Sequence, residues 1–157
     1  MKILEAKETD LPSLIELNSE VQELHINWNP EKFKKVSKNE IIEWLMELLN
    51  DKTVKVLIAF MDSKAVGYAI AKILKREGNV FIYPSQFIEI DQIAVTKKYR
   101  NKNVGKKLVE EIKNHAQKIG INTLSLSVLA RNSNAIKAYT NMGFEPEGIK
   151  MIFKLTS

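Results

Sequence analysis

Three groups of residues in this 157-residue chain have the types and spacing to do chemistry. The first is Glu89 and Asp91, two residues apart in the alternating run Phe87 to Val95. Strand side chains alternate, so the spacing puts Glu89, Asp91, Ile93 and Val95 on one face and Ile88, Ile90, Gln92 and Ala94 on the other. A half-buried pair of like charges raises at least one carboxyl pKa, the condition for a base working near neutrality. An exposed sheet face would carry the same two as ordinary carboxylates, and spacing alone does not choose. The second group runs from Lys97 to Lys107, with six cations (Lys97, Lys98, Arg100, Lys102, Lys106, Lys107), no acid, and Gly105 where a helix should begin. A helix start exposes N–H groups and carries partial positive charge, so this junction suits a phosphorylated ligand. The third is Asn132, a good N-cap, and Tyr139, which returns to the same side after about two helical turns. A hydroxyl there can donate a proton or merely hydrogen-bond at the edge of a core.

The elements that must position these groups are readable in order. Lys2 to Lys7 reads as a strand. Thr9 or Asp10 caps a helix with Pro12 in its first turn and Leu14, Leu17, Val21 and Leu24 along one stripe, running to about His25. His25-Ile-Asn-Trp-Asn-Pro30 breaks that period and reads as a loop, with Trp28 and Phe33 in the core or on a pocket wall and His25 packed rather than metal-bound. A second helix starts near Ser37, capped by Ser37 or Asn39, with Ile41, Trp44, Leu45, Leu48 and Leu49 inward. Val54 to Phe60 and Lys64 to Leu74 are strands joined by Met61-Asp62-Ser63, and Gly67 signals a bulge or a close backbone approach. After the run from Phe87 to Val95, a helix from Gly105 to about Ile119 buries Val104, Leu108, Ile112, Ala116 and Ile119, and Gly120 ends it. His115 belongs on its inward side. Asn122 to Leu129 alternates as a strand, expected to lie parallel to the strand before the helix. A short helix ends at Gly143, and Phe144 to Glu147 with Ile149 to Leu155 close the chain as a strand or hairpin. The expected fold is α/β: a mixed, mostly antiparallel sheet of about six to seven strands with about four helices, order β-α-α-β-β-β-α-β-α-β, in one domain spanning 1–157.

Composition sets limits on function. Apolar residues at 45% and charged residues at 27% are those of a soluble globular chain, and no apolar run approaches the ~20 residues of a membrane span. The start, MKILEAKETD, has no apolar secretory region, so a cytoplasmic location is expected without a membrane partner. The absence of cysteine excludes disulfides, thiolate metal sites and cysteine nucleophiles, and no histidine or carboxylate spacing suggests a metal. A net charge of +5 fits solubility better than nucleic-acid binding, and no nucleic-acid partner is expected. The first 31 residues invert that balance, with seven acids against two lysines. They form either a solvated helix face or a negative rim that attracts a cationic substrate.

Two segments carry a family resemblance. Arg100-Asn101-Lys102-Asn103-Val104-Gly105 is similar to the Gln/Arg-x-x-Gly-x-Gly/Ala pyrophosphate loop of the GNAT superfamily of acyl-CoA N-acyltransferases. Asn132 to Tyr139, followed by Met142-Gly143-Phe144, resembles that family's Asn-x-x-Ala-x-x-x-Tyr…Gly-Phe segment. The element order extends the match over essentially the whole chain. The resemblance implies an N-acetyltransferase, with acetyl-CoA as acyl donor, no metal, and direct attack by an amine in a ternary complex. Backbone groups of Ile93, Ala94 and Val95 would pair with the pantetheine arm, splaying the parallel strands. Amides of Asn101, Lys102, Asn103, Val104, Gly105 and Lys106 would hold the pyrophosphate, with Arg100 complementing its charge. Asn132 would position the arm, Glu89 would act as base with Asp91 as its substitute, and Tyr139 would protonate the departing thiolate. The acceptor would be a small cationic amine or a peptide amine, and a homodimer is compatible, since relatives often form dimers. Asn103 stands where the family has its first loop glycine. Asparagine tolerates a left-handed conformation better than most residues, which would preserve the loop at some cost. This departure keeps a non-catalytic CoA-binding or sensing domain as the alternative.

Overall fold

The computed structural model describes residues 1–155. The sheet is built outward from a hairpin, Val54–Met61 (β2) with Lys64–Arg76 (β3). Asp62 and Ser63 at its tip take φ of 49° and 63°, the left-handed pair that matches the twist of two-residue hairpins. Lys2–Glu5 (β1) adds antiparallel to β2, and Ser85–Val95 (β4) adds antiparallel to β3. Leu124–Leu126 (β5) pairs parallel with β4, giving the order β1-β2-β3-β4-β5. The mostly antiparallel sheet with one parallel pair is the architecture expected.

Leu11–Trp28 (α1) and Lys38–Asn50 (α2) cover one face of the sheet. Leu14, Leu17, Leu45 and Leu48 meet Val56, Ile58, Tyr68 and Ile70 there. The start of α2 is set by a capping box: Ser37 accepts from the Glu40 N–H, and the Glu40 carboxylate accepts from the Ser37 N–H at 2.7 Å. Val104–Lys118 (α3) lies on the other face, burying Val104, Leu108, Val109, Ile112 and Ala116. Small residues of β3 let it approach closely. A Cβ on Gly67 would stand 2.6 Å from the Ala94 carbonyl oxygen and 3.3 Å from Val104, so this position needs glycine, as its place in the strand suggested. Gly120, at φ 74°, ends α3 in the left-handed turn expected of it.

Residue contacts divide the chain into two compact units, Met1–Leu126 and a second beginning at Ser127. The second contains Ser133–Asn141 (α4), with Asn132 as its N-cap and Gly143, φ 91°, just past its end.

Several boundaries differ from the sequence expectation. Helix α1 does not stop near His25 but continues to Trp28, because His25 stacks on Phe33 (4.9 Å between centroids) and tilts toward Trp28 (6.2 Å), so the aromatic run packs as helix rather than loop. Ile119 is 43% exposed rather than buried, since α3 has already ended at Lys118. Strand β5 covers three residues of the run Asn122 to Leu129. Ile149 to Leu155 forms no strand, which leaves five strands among the described residues where six to seven were expected.

Candidate active site

The residues that could do chemistry in the first unit gather around the far end of β4. In the β3–β4 register Ile70 faces Gln92 and Ala71 faces Ile90, so Asp91 is an extra, bulged residue. The bulge changes which side chains share a face. Ile88 faces the α3 side with Ala71 and His115 around a cavity of about 110 Å³, whereas Gln92 and Ala94 pair with Ile70 and Tyr68 on the α1/α2 side. Glu89, opposite Lys72, falls on this second side too. Ile93 and Val95 turn toward α3, where both lie 3.9 Å from the position of a Cβ on Gly105. The simple alternation that grouped Glu89, Asp91, Ile93 and Val95 therefore fails beyond the bulge. Asp91 makes a 2.9 Å ion pair with Lys72, and Glu89 is half-buried between Lys72 on β3 and Ser125 on β5.

The pairing of β4 with β5 stops at Ile90 with Leu126, while β4 runs on to Val95. A strand directs its backbone groups to both neighbours, and the β5 side of Asp91–Val95 has no strand partner among the described residues, so it is an edge that an extended ligand can complete. Ala94 is buried, and its neighbour Val95 accepts a 3.1 Å hydrogen bond from Arg100 Nε at its carbonyl. Two buried hydroxyls near this strand, Thr96 Oγ1 and Ser125 Oγ, have no hydrogen-bond partner among the described residues.

Between β4 and α3 the chain makes one 3₁₀ turn, Lys97–Tyr99, then passes through Asn101 and Asn103 at φ 61° and 62°. Asn103 thus holds the left-handed conformation its position calls for. It precedes α3 without capping it, since its side chain accepts no hydrogen bond from the first turn. The contrast with α2 is direct. Ser37 and Glu40 satisfy the start of α2, whereas the N–H groups of Asn101, Lys102, Asn103, Val104, Gly105 and Lys106 have no internal acceptor among the described residues. Gly105 adds a steric observation. Its nearest would-be Cβ contacts lie at 3.9 Å, so nothing inside the protein requires glycine there. Bare amides, left-handed asparagines and a side chain missing without an internal reason are what a closely approaching pyrophosphate needs, and these residues fit CoA.

The cations of the loop divide their work. Arg100 is committed to the protein: besides Val95, it reaches Glu20 Oε1 at 3.4 Å, and the same carboxylate oxygen accepts from the Lys97 N–H at 3.0 Å. Glu20, counted with the acidic segment as a solvated face or substrate rim, instead braces the loop. Lys102 lies over the Tyr99 ring at 5.0 Å, and Lys106 stands 4.0 Å from Glu110.

In the second unit, Asn132 Oδ1 accepts from the Ala135 N–H at 3.1 Å, which fixes the start of α4. Tyr139 packs edge-on against Phe144 (5.9 Å), and the Phe144 N–H donates to the Tyr139 carbonyl at 3.0 Å. Burial pushes the Tyr139 phenol above its ordinary value, so it stays protonated through the neutral range.

A buried polar network on the α1/α2 side is absent from the sequence expectation. Asn18 Nδ2 donates to Tyr68 Oη (2.9 Å) and to Gln92 Oε1 (3.2 Å), and Tyr68 Oη donates to the same Gln92 oxygen at 2.6 Å. Asn18 is 1% exposed and Tyr68 0%. Burial, reinforced by Asp91, pushes the Tyr68 phenol up to about 12 even though the Asn18 bond pulls the other way. The available signal was Asn18 lying between Leu14, Leu17 and Val21 on the apolar stripe, a polar residue where the helix should be buried. Among the described residues, no group of three or more histidine, cysteine or carboxylate side chains could hold a metal ion, and no helix is long and apolar enough to cross a membrane.

Comparison with known proteins converges on one family. Residues 16–144 match the sequence profile of the Acetyltransferase (GNAT) family. The chain is 28% identical over 137 residues to N-alpha-acetyltransferase 60 of Xenopus tropicalis, covering 79% of this chain and 54% of that protein, so it spans about half the relative's length. A tetramutant of the BH1408 protein from Bacillus halodurans has the same fold, with a TM-score of 0.92 at 18% identity over 99% of this chain and 100% of that one. An aminoglycoside N-acetyltransferase, AAC(6')-Iy, in complex with CoA superimposes with a TM-score of 0.74 at 18% identity, over 99% of this chain and 100% of that chain.

Proposed function

The chain belongs to the Acetyltransferase (GNAT) family, and on that premise we propose that it is an enzyme moving an acetyl group from acetyl-CoA to an amine within one ternary complex. The observation that carries this reading is the loop into α3: six amides from Asn101 to Lys106 without an acceptor among the described residues, with a glycine at 105 that internal packing does not demand. Those amides hold the pyrophosphate, with Lys102 and Lys106 adding charge, while Arg100 acts mainly by locking the loop onto Val95 and Glu20. Backbone groups of Ile93, Ala94 and Val95 pair with the pantetheine arm, which Asn132 helps to position. Bound acetyl-CoA supplies an activated thioester.

An alkylamine is mostly protonated at neutral pH, so attack requires that a proton be removed. Glu89 accepts it, directly or through water. Asp91, committed to Lys72, is the weaker candidate. Tyr139, kept neutral by burial, gives a proton to the departing thiolate. The chain works in this reading as one domain on a small cationic amine or a peptide amine. The activities named for its relatives, on α-amino groups and on aminoglycosides, set the first acceptors to try.

The test is thiol release from acetyl-CoA with a panel of peptide α-amines, polyamines and aminoglycosides. Release that depends on one class of amine is the expected result. Acetyl-CoA binding without amine-dependent release from any of them would overturn the catalytic reading.

A further inference from the structure

Ser125 of β5 is the partner of Glu89 of β4 in the parallel register. Partner residues share a face of the sheet, and neighbouring strands lie about 4.8 Å apart, so the two side chains leave the sheet together. The face is that of α1 and α2, because Glu89 also stands opposite Lys72, two residues along β3 from the core residue Ile70. One residue further, at Ile90 and Leu126, the pairing of the two strands ends. Ser125 is therefore next to the candidate base and at the start of the opening between the strands.

Its hydroxyl lacks a structural reason. Ser125 Oγ is buried with no hydrogen-bond partner among the described residues, so Ser125 and Glu89 are neighbours that do not bond each other. A buried hydroxyl without a partner costs stability, and alanine in its place would avoid that cost. Glu89 is half-buried, and the cation opposite it, Lys72, is spent on Asp91 at 2.9 Å. Water satisfies such a carboxylate while the site is open. A bound acceptor and acyl donor exclude that water, and the Ser125 hydroxyl is then the donor adjacent in register.

We propose that Ser125 is a positioning residue: in the ternary complex its hydroxyl donates to one carboxylate oxygen of Glu89 and leaves the other facing the acceptor amine. A change of rotamer at Ser125 redirects the hydroxyl. A hydrogen bond to the charged form favours it, so Ser125 extends to lower pH the range in which Glu89 can take a proton. The charges that bear on Glu89 from its other neighbours are Lys72 of β3, Asp91 of β4 and, past Lys72, Asp51 after α2. Helix α1 reaches β4 through the uncharged Asn18, and Tyr68, pushed up to about 12, stays neutral. The inference rests on Glu89 acting as base in the reading above and goes beyond it in naming what holds that base.

The test is the pH profile of kcat, with the amine that releases most thiol in the panel, for the wild type, Ser125→Ala, Ser125→Cys and Glu89→Gln. Ser125→Ala should move the acid limb up by about one to two pH units, the loss expected of a hydrogen bond to a charged group, with the KM for acetyl-CoA within about two-fold of the wild type. Its melting temperature should hold or rise, since the hydroxyl has no partner to lose in the free protein. Cysteine keeps the volume and replaces a strong donor with a weak one, so Ser125→Cys should follow alanine. A limb lost in Glu89→Gln but unmoved in Ser125→Ala would overturn the proposal and leave the base in place. A wild-type profile in Ser125→Cys would also overturn it, because packing rather than hydrogen bonding would then explain the alanine result. An acid limb that persists in Glu89→Gln, or a wild type without turnover, would overturn the base and the proposal together.

Discussion

The Tyr68 hydroxyl donates a 2.6 Å hydrogen bond to Gln92 Oε1, tying β3 to the residue just past the bulge in β4. Asn18 of α1 completes the triangle, so one buried network joins a helix, a strand and the bulged segment that leads into Ile93–Val95. Its groups are satisfied by each other, and loss of one leaves others buried without a partner.

Tyr68→Phe should therefore destabilise the fold by about 1–3 kcal/mol, the cost of unsatisfied buried polar groups. Gln92→Leu should cost a similar amount, and the double substitution less than the sum of the two. Urea denaturation of the four proteins checks this. Additive losses would mean that the two groups act independently.

Gly105→Ala separates folding from ligand binding. The added Cβ meets nothing closer than 3.9 Å, and alanine is the better helix former, so stability should hold or rise by about 0.5–1 kcal/mol. Acetyl-CoA affinity, measured by calorimetry, should fall. Gly67→Ala should do the reverse to stability, because its Cβ would stand 2.6 Å from the Ala94 carbonyl oxygen. Equal stability losses at both positions would remove the steric argument for a ligand at Gly105.

Asn103→Gly should keep both stability and acetyl-CoA affinity, since glycine takes φ 62° freely, whereas Asn103→Val should lose about 1–2 kcal/mol of stability and weaken binding. Thermal unfolding with and without acetyl-CoA reads both quantities. Tolerance of valine without loss would contradict the left-handed turn.

Stability should fall as pH drops below about 6.5. Burial, and then Lys32, lowers the pKa of His25; burial, and then Lys55, lowers that of His115, with Glu5 opposing. Just below the ordinary histidine value the unfolded chain binds protons that the folded chain does not, so stability is present above that value and is lost as pH falls through it toward the folded pKa. Glu40 and Asp51, whose pKa values are lowered by hydrogen bonds from Ser37 and Thr53, act only in the more acidic carboxylate range. Melting temperature against pH should show the decline in the wild type and a flatter curve in His25→Gln/His115→Gln. A wild-type midpoint that stays level between about pH 7 and 5.5 would contradict it.

Tyr139→Phe should lower kcat by about 10²-fold or more with little change in acetyl-CoA affinity, and Glu89→Gln should do likewise, while Asp91→Asn should retain most turnover. Steady-state kinetics with a saturating acceptor decide the assignment. Unchanged turnover in Glu89→Gln would shift the role to Asp91 or water.

Much of the architecture was legible because local chemistry and tertiary structure agree: the Ser37 cap, the Asp62-Ser63 turn, Gly67, Gly120 and Gly143 each do what their residue types suggest. The loop was legible as well, including the left-handed Asn103. What escaped depended on contacts far apart in sequence. The bulge at Asp91 leaves the alternation of β4 intact on paper while reversing its faces after Ile90. Asn18 finds partners 50 and 74 residues away, and Glu20 reaches the loop 77 residues on. The Ile149–Leu155 segment reads as a strand because its pattern is one, but pattern alone does not supply a partner strand.

The central claim is that this chain transfers acetyl groups from acetyl-CoA to an amine. Incubation with acetyl-CoA labelled with 13C in the acetyl group, followed by mass spectrometry of the acceptor, tests it most directly. One labelled acetyl group on the amine for each CoA released is the expected result, with the yield reduced in Tyr139→Phe. Acetyl-CoA that is bound but never yields a labelled amine, or that is consumed equally with and without acceptor, would contradict it.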